Sequence, residues 1–255
     1  MSPVAIDFSI LWPALIAGLL VTATHVPLGI QVLNRGIVFI DLAIAQIAGL
    51  GVICADWLGF EPQGWAVQVS ALAAALTGAL LLTWTEKHWP EVQEAVIGVT
   101  FILAASGALI VLASNPHGAE HLKDLLVGQI LWVNPGRLVP VALAYAVILA
   151  VWFALGERAG SVGFYLLFAC AVTASVQLVG LYLVFTTLIV PALATRRFAR
   201  RRLAVGYALG AAGYALGLVV SAWSDWPSGP AIVWVMTAFA AIVFACGPRR
   251  SARAG

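Results

Sequence analysis

Eight long apolar runs, separated by polar or turn-forming breaks, constrain this chain more than any other feature. They lie near residues 9–33, 37–59, 65–85, 93–114, 138–155, 162–195, 203–222 and 230–247. Most match the roughly 20 residues that an α-helix needs to cross the hydrocarbon core of a membrane. Only 9% of the 255 residues are charged, whereas soluble domains carry about 25%. The pattern predicts an all-α integral membrane protein with a single transmembrane domain over residues 1–255, and it excludes an ordinary soluble enzyme.

The sixth run is too long for one crossing. Its 34 residues would form a helix of about 50 Å, against a hydrocarbon core of roughly 30 Å. Gly180 lies at its middle and Pro191 near its end. We therefore predict a break at Val179 and Gly180, which gives nine spans rather than eight.

The distribution of cationic side chains predicts the orientation. With nine spans and the C-terminus inside, Lys123 and Arg137 are the only two of the 13 Lys and Arg residues that fall outside. A single crossing of the sixth run lowers the cytoplasmic count from 11 to 10, so the positive-inside rule slightly favours nine spans. Because the net charge of +2 follows from this rule, we expect no nucleic-acid partner.

Four polar side chains inside the apolar runs are candidates for a polar path through the membrane: His25, Asp41, Gln46 and Glu94. An ionisable group in a span is costly unless it faces a partner or a water-filled path. If the first two spans form a hairpin that turns near Arg35, His25 and Gln46 lie at nearly the same depth. Asp41 and Glu94 then lie closer to the cytoplasm. The alternative is that the two carboxylates are interfacial and that His25 is hydrogen-bonded to a backbone carbonyl.

The segment PHGAEH forms a second cluster, in which His117, Glu120 and His121 would share one face of a short helix. Imidazoles with a carboxylate suit a divalent metal such as zinc. The string HGAEH also matches the H-x-x-E-H of some zinc peptidases, but Gly118 interrupts the rigid helix that such a site needs. Three interpretations stay open: a solvated external loop, transient metal capture, and a peptidase.

A phosphate-binding loop of the form G-x-x-x-x-G-K-[ST] is absent from the sequence. We therefore expect that the chain is not an enzyme, that it has no cofactor of its own, and that a separate polypeptide binds and hydrolyses any ATP.

Five segments, in the same order and spacing, resemble the membrane subunits of bacterial zinc and manganese ABC importers. They are residues 27–52, 94–99, 124–133, 179–200 and 226–233. The resemblance implies an ABC-importer permease fold in the bacterial inner membrane, with a homodimer that encloses the path. It also implies two cytoplasmic ATPase subunits and an extracytoplasmic metal-binding protein as partners, besides membrane lipids.

The second span departs from this family. Similar members commonly carry a His that helps to form the metal site, with an Asp one turn before it. Here Gln46 stands at the His position and Asp41 lies five residues earlier. An amide is a poorer zinc ligand than imidazole, and His25 on the neighbouring span would restore the missing nitrogen.

The loop after the fifth span is also shorter than in the family, where it docks on the ATPase; only residues 155–161 remain. We expect docking to be shared with the basic loop after the sixth run. The candidate docking residues are Glu157, Arg158, Arg196, Arg197 and Arg200.

The sequence thus predicts an importer subunit for a divalent transition metal, with zinc expected because the candidate ligands include His25, His117 and His121. Manganese would prefer more carboxylates. The alternatives are a permease for a metal chelate or a cobalamin-type substrate, and an intramembrane metallopeptidase that uses HGAEH.

Overall fold

The computed structural model describes residues 8–61, 64–112, 128, 130–155, 158, 160–198 and 200–248, and these residues form nine α-helices and two short 3-10 turns. The α-helices are α1 (Phe8–Arg35), α2 (Ile40–Trp57), α3 (Trp65–His88), α4 (Gln93–Leu112), α5 (Pro135–Leu155), α6 (Gly160–Val179), α7 (Leu181–Ala194), α8 (Arg202–Ser224) and α9 (Ser228–Cys246). The 3-10 turns are Pro90–Val92 and Ile130–Trp132. All the α-helices except α7 are long and apolar enough to cross a membrane, which gives eight candidate spans. The predicted all-α membrane fold is confirmed.

The predicted break in the sixth run is confirmed at the expected residue. α6 ends at Val179, Gly180 has a φ of 84°, and α7 begins at Leu181. Glycine adopts this left-handed conformation without the steric cost that a side chain would add. The second half is shorter than a full crossing, because 14 residues rise only about 21 Å.

The chain reverses direction at this break. Ser161, at the start of α6, accepts a hydrogen bond from Arg35 at the end of α1. α8 runs antiparallel to α1, since Gly206 faces Val26 and Gly210 faces Thr22. The loop between α7 and α8 therefore lies at the end of the molecule that holds Arg35 and Ser161. We call it the basic end.

The helices pack as two groups. The first bundle consists of α1, α7, α8 and α9, and the second bundle consists of α2, α3, α4 and α6. α5 packs on the outside, against α1 and α6. The chain passes from the second bundle to the first at Gly180, so the break joins the two groups.

α1 and α2 do not form the predicted hairpin. α1 packs against α7 and α8, whereas α2 packs against α3, α4 and α6. The turn over residues 36–39 connects two helices that belong to different bundles. The predicted hairpin, which placed His25 at the depth of Gln46 on a neighbouring helix, is therefore wrong in its adjacency, because α1 and α2 follow each other in sequence but pack in different bundles.

The first bundle is held by a very close helix crossing. A Cβ atom built on Gly29 of α1 would lie 1.9 Å from the carbonyl oxygen of Leu188 on α7. Only glycine allows the two backbones to approach this closely, as small residues do at many membrane helix contacts.

Candidate metal translocation site

Asp41 lies in the first turn of α2, at the basic end of the second bundle. Its side chain is fully buried, and neither carboxylate oxygen has a hydrogen-bond partner among the described residues. The free backbone N–H groups of the first helical turn favour negative charge only weakly. An unpaired carboxylate inside a membrane protein costs several kcal/mol unless a cation or water compensates it. The position thus suits a passing cation.

Glu94 approaches the same helix start from α4. Its Oε1 accepts a hydrogen bond of 3.3 Å from the backbone N–H of Phe39, the residue that precedes α2. Its Oε2 is buried and has no described partner. The structure therefore brings Glu94 and Asp41 to the same end of α2, which presents two carboxylates with unused oxygens at the basic end.

His25 lies fully buried in α1, in the first bundle. Its Nδ1 is 3.1 Å from the carbonyl oxygen of Val21 and 2.9 Å from Oγ1 of Thr24. Because a carbonyl oxygen only accepts, we assign the tautomer with the proton on Nδ1, which then donates a hydrogen bond to the carbonyl of Val21. The lone pair then remains on Nε2, which is buried and has no described partner. A ring oriented by one nitrogen, with the other nitrogen free, is the arrangement of a metal-ligating histidine. His25 does bond a backbone carbonyl, but that of Val21 rather than that of Ala23, which Pro27 leaves without its helical N–H donor, and the bond leaves Nε2 available.

Gln46 is half-buried and faces the junction between the bundles rather than α1. It lines a cavity of about 10 Å³ with side chains that include Ile53, Val176 and Leu181. This volume is about the minimum that can hold one water molecule. Since Leu181 begins α7, the amide lies beside the helix break at Gly180. Gln46 is therefore separated from His25, the residue that we expected to complement it.

The described residues contain no group of three or more His, Cys, Asp or Glu side chains that could hold a metal ion. The four intramembrane candidates instead fall into three places: Asp41 with Glu94, His25 alone, and Gln46 alone. This arrangement can offer successive single contacts to an ion within one chain.

The external candidates His117, Glu120 and His121 lie outside the described residues, as does Glu157 of the docking set. Of the other docking candidates, Arg158, Arg196, Arg197 and Arg200 are exposed. Arg196 and Arg197 lie in the α7–α8 loop at the basic end.

A buried network around Gln93 was missed by the sequence reasoning. Its amide nitrogen donates to the carbonyl of Leu82 at 2.9 Å and to the hydroxyl of Tyr165 at 3.2 Å. Its amide oxygen accepts a 3.0 Å hydrogen bond from Thr85. The network joins α3, α4 and α6 immediately beside Glu94, so it fixes the start of α4. A polar residue directly before Glu94 in an apolar stretch was the available signal.

Arg35 joins the two bundles at the basic end. It contacts Glu86 of α3 at 3.4 Å and Ser161 of α6 at 3.1 Å, and its guanidinium carbon lies 4.5 Å from the ring centre of Phe164. These contacts link the end of α1 to the second bundle, close to the segment where ATPase docking is expected.

Eight apolar spans among the described residues, a basic end and a buried carboxylate, Asp41, without a described partner are together typical of a multi-pass membrane transport protein. The chain belongs to the ABC 3 transport family, whose matches cover residues 7–158 and 154–247. The resemblance to ABC importer membrane subunits is thus confirmed, and with it a multi-pass location in the bacterial inner membrane.

Individual relatives are similar over most of their length. The "High-affinity zinc uptake system membrane protein ZnuB" of Haemophilus influenzae is 25% identical over 248 residues, which cover 89% of this chain and 93% of the relative. A "Probable iron transport system membrane protein" of the same organism is 25% identical over 204 residues, covering 71% and 72%. The structure of PsaBC from Streptococcus pneumoniae in complex with Fab superposes with a TM-score of 0.77 at 21% identity, covering 95% of this chain and 93% of that one. This last likeness shows the fold alone.

Proposed function

We propose that this chain is the membrane-spanning permease subunit of an ABC importer for a divalent transition metal, with zinc as the preferred ion. The observation that carries the proposal is Asp41, a fully buried carboxylate in a membrane helix whose two oxygens lack described partners. A transported cation would supply the missing compensation. The similarity to ZnuB supports zinc as the ion.

In this proposal each intramembrane candidate replaces part of the hydration shell of the ion. Gln46 offers an amide oxygen beside the helix break, and His25 offers Nε2. Asp41 and Glu94 offer carboxylate oxygens at the basic end, where negative charge attracts the ion toward the cytoplasmic exit. Because these groups are spread along one chain, a second copy across a homodimer interface would bring a second set of ligands to the same path. The external residues His117, Glu120 and His121 would raise the local metal concentration.

The energy would come from separate ATPase subunits, since the sequence has no phosphate-binding loop. Glu157, Arg158, Arg196, Arg197 and Arg200 are the proposed docking residues. An extracytoplasmic metal-binding protein would deliver the ion to the opposite end.

The choice of zinc rests on the donor types. Manganese prefers oxygen ligands, whereas imidazole nitrogen favours zinc. His25 supplies a free nitrogen that is already oriented, so we expect it to discriminate between the two metals. His25→Asp should shift the preference toward manganese.

The test is metal uptake by the chain reconstituted in proteoliposomes with its ATPase and its binding protein. We expect zinc uptake that needs ATP, that exceeds manganese uptake at equal concentration, and that Asp41→Asn abolishes. ATP hydrolysis by the isolated chain, or uptake of a chelate in preference to the free ion, would refute the proposal. Cleavage of a membrane substrate that depends on HGAEH would instead support the peptidase.

A further inference from the structure

A cleft lies between α7 and α9 near the basic end. It has a volume of about 360 Å³ and is lined by Val190, Leu193 and Ala194 from α7 and by Thr237, Ala240, Ala241 and Phe244 from α9, with Arg196 at its rim. Its lining is almost entirely apolar. The hydroxyl of Thr237 is already used, because it donates to the carbonyl of Val233 in its own helix at 2.7 Å.

The cleft extends along the apolar ends of α7 and α9, away from the α7–α8 loop. From Arg196 back to Val190 the helix axis rises about 9 Å, and from Phe244 back to Thr237 it rises about 10 Å. A partner that contacts only the cytoplasmic surface, such as the ATPase that Arg196 and Arg197 are proposed to dock, would leave the apolar depth of the cleft unfilled. The occupant must therefore have an apolar portion that enters from the bilayer.

Two arginines lie close to Phe244 at the edge of the cleft. The guanidinium carbons of Arg196 and Arg197 lie 5.4 and 4.2 Å from the ring centre of Phe244, which itself lines the cleft. Stacking on an aromatic face orients a guanidinium while leaving its N–H groups free to bind an anion.

The charge of this region has no compensation on its own elements. From Arg158 to the last residue the sequence contains a single carboxylate side chain, Asp225. Asp225 directly follows α8, at the end opposite to the α7–α8 loop. An anion from outside the chain is thus the matching partner for Arg196 and Arg197.

We propose that this cleft binds an anionic phospholipid, with one acyl chain between α7 and α9 and the headgroup phosphate on Arg196 and Arg197. Basic pockets between membrane helices on the cytoplasmic side commonly bind such headgroups. Because α7 leads directly to the break at Gly180, the lipid would pack against the helix that joins the two bundles.

The test uses the full chain alone, without ATPase, so that its result is independent of the proposed transport function. The purified chain is equilibrated in detergent with equal amounts of dioleoyl phosphatidylglycerol and dioleoyl phosphatidylcholine, and the retained lipids are counted by native mass spectrometry. We expect retention of phosphatidylglycerol in excess. Arg196→Gln with Arg197→Gln should reduce this preference about fivefold for each arginine removed.

Two further variants keep the result decisive. Arg201→Gln with Arg202→Gln removes the same charge from the adjacent start of α8, outside the cleft lining and outside the docking set, and it should leave the preference unchanged. Ala241→Trp fills the cleft and should reduce retention of both lipids. If the two double arginine variants lost the preference for phosphatidylglycerol equally, the preference would come from the overall positive charge of the surface, and the proposal would be overturned. Disulfide cross-linking of two chains through Thr237→Cys, with the native cysteines replaced by alanine, would also overturn it by showing that a second copy fills the cleft.

Discussion

The two bundles hold their buried ionisable groups in opposite ways. In the first bundle, His25 is fixed by the Val21 carbonyl and presents one free nitrogen in a set direction. In the second bundle, Asp41 is equally buried but no described hydrogen bond fixes either of its oxygens. An oriented neutral ligand confers selectivity, whereas an unpaired carboxylate supplies charge and can follow the ion. Substitutions of the two residues should therefore affect transport differently: loss of Asp41 should lower zinc uptake at every concentration, whereas loss of His25 should lower the apparent zinc affinity.

The largest expected effect comes from Asp41→Asn. Removing the charge should lower zinc uptake at least about 100-fold at every zinc concentration, because no nearby group replaces it in the low-dielectric interior. The protein should not lose thermal stability, because a buried amide costs less than an unpaired buried carboxylate. Uptake in proteoliposomes and melting in detergent measure the two quantities.

The matched control is Asp56→Asn, the same substitution near the other end of α2. It should transport as the unchanged chain does. Normal uptake by Asp41→Asn would show that transport does not need this negative charge, and it would contradict the proposed difference between the two bundles.

His25→Ala should have the next largest effect, a loss of about 10- to 100-fold in apparent zinc affinity. The loss should be greatest at limiting zinc, since a selective ligand matters most when the ion is scarce. His88→Ala, at an exposed position at the end of α3, is the control. A similar loss in both variants would show a general effect of imidazole removal and would contradict a specific ligand role.

Gly29→Ala tests the packing of the first bundle. Its new methyl group would overlap the Leu188 carbonyl, and we expect the free energy of unfolding to fall by about 1–3 kcal/mol. Gly98→Ala in α4 has open space around the new Cβ atom, so it should stabilise that helix by about 0.5–1 kcal/mol. Thermal unfolding in detergent compares them, and equal destabilisation would show that the close crossing at Gly29 is not special.

The smallest effect is expected for Thr24→Val, which removes the hydroxyl 2.9 Å from the His25 ring but keeps the side-chain shape. The Val21 carbonyl still holds the ring, so the apparent zinc affinity should fall only about two- to tenfold. The KM for zinc uptake is the readout. A loss as large as that of His25→Ala would mean that Thr24, not Val21, orients the imidazole.

Much of the fold followed from hydropathy and chain length. The spans were predictable because a core of about 30 Å requires apolar helices of a fixed length. Gly180 was predictable because a run of 34 residues is too long for one crossing, and glycine readily adopts the left-handed conformation that a break can require. Helix adjacency was not predictable. The α1–α2 hairpin was wrong because partner choice depends on contacts such as Gly29 with Leu188, which lie far apart in sequence.

The candidate site was only partly predictable for the same reason. Asp41 and His25 stood out as ionisable residues in apolar runs, since the membrane makes every such residue costly. Their hydrogen bonds depend on local backbone geometry that no spacing rule supplies. Gln93 was overlooked because an uncharged amide carries a weaker sequence signal than a carboxylate, although its three hydrogen bonds fix the helix that bears Glu94.

Because α1 belongs to the first bundle, it cannot pack fully until helices much later in the chain have been synthesised. Its partners α7 and α8 begin about 150 residues after α1 ends, and at a synthesis rate of about 5–20 residues per second this delay is about 8 to 30 seconds. Throughout that interval α2, α3 and α4 can already associate, while His25 of α1 is not yet buried by α7 and α8. A ribosome that stops before Gly180 therefore releases a chain whose second bundle is nearly complete and whose α1 has only α5 and α6 to pack against.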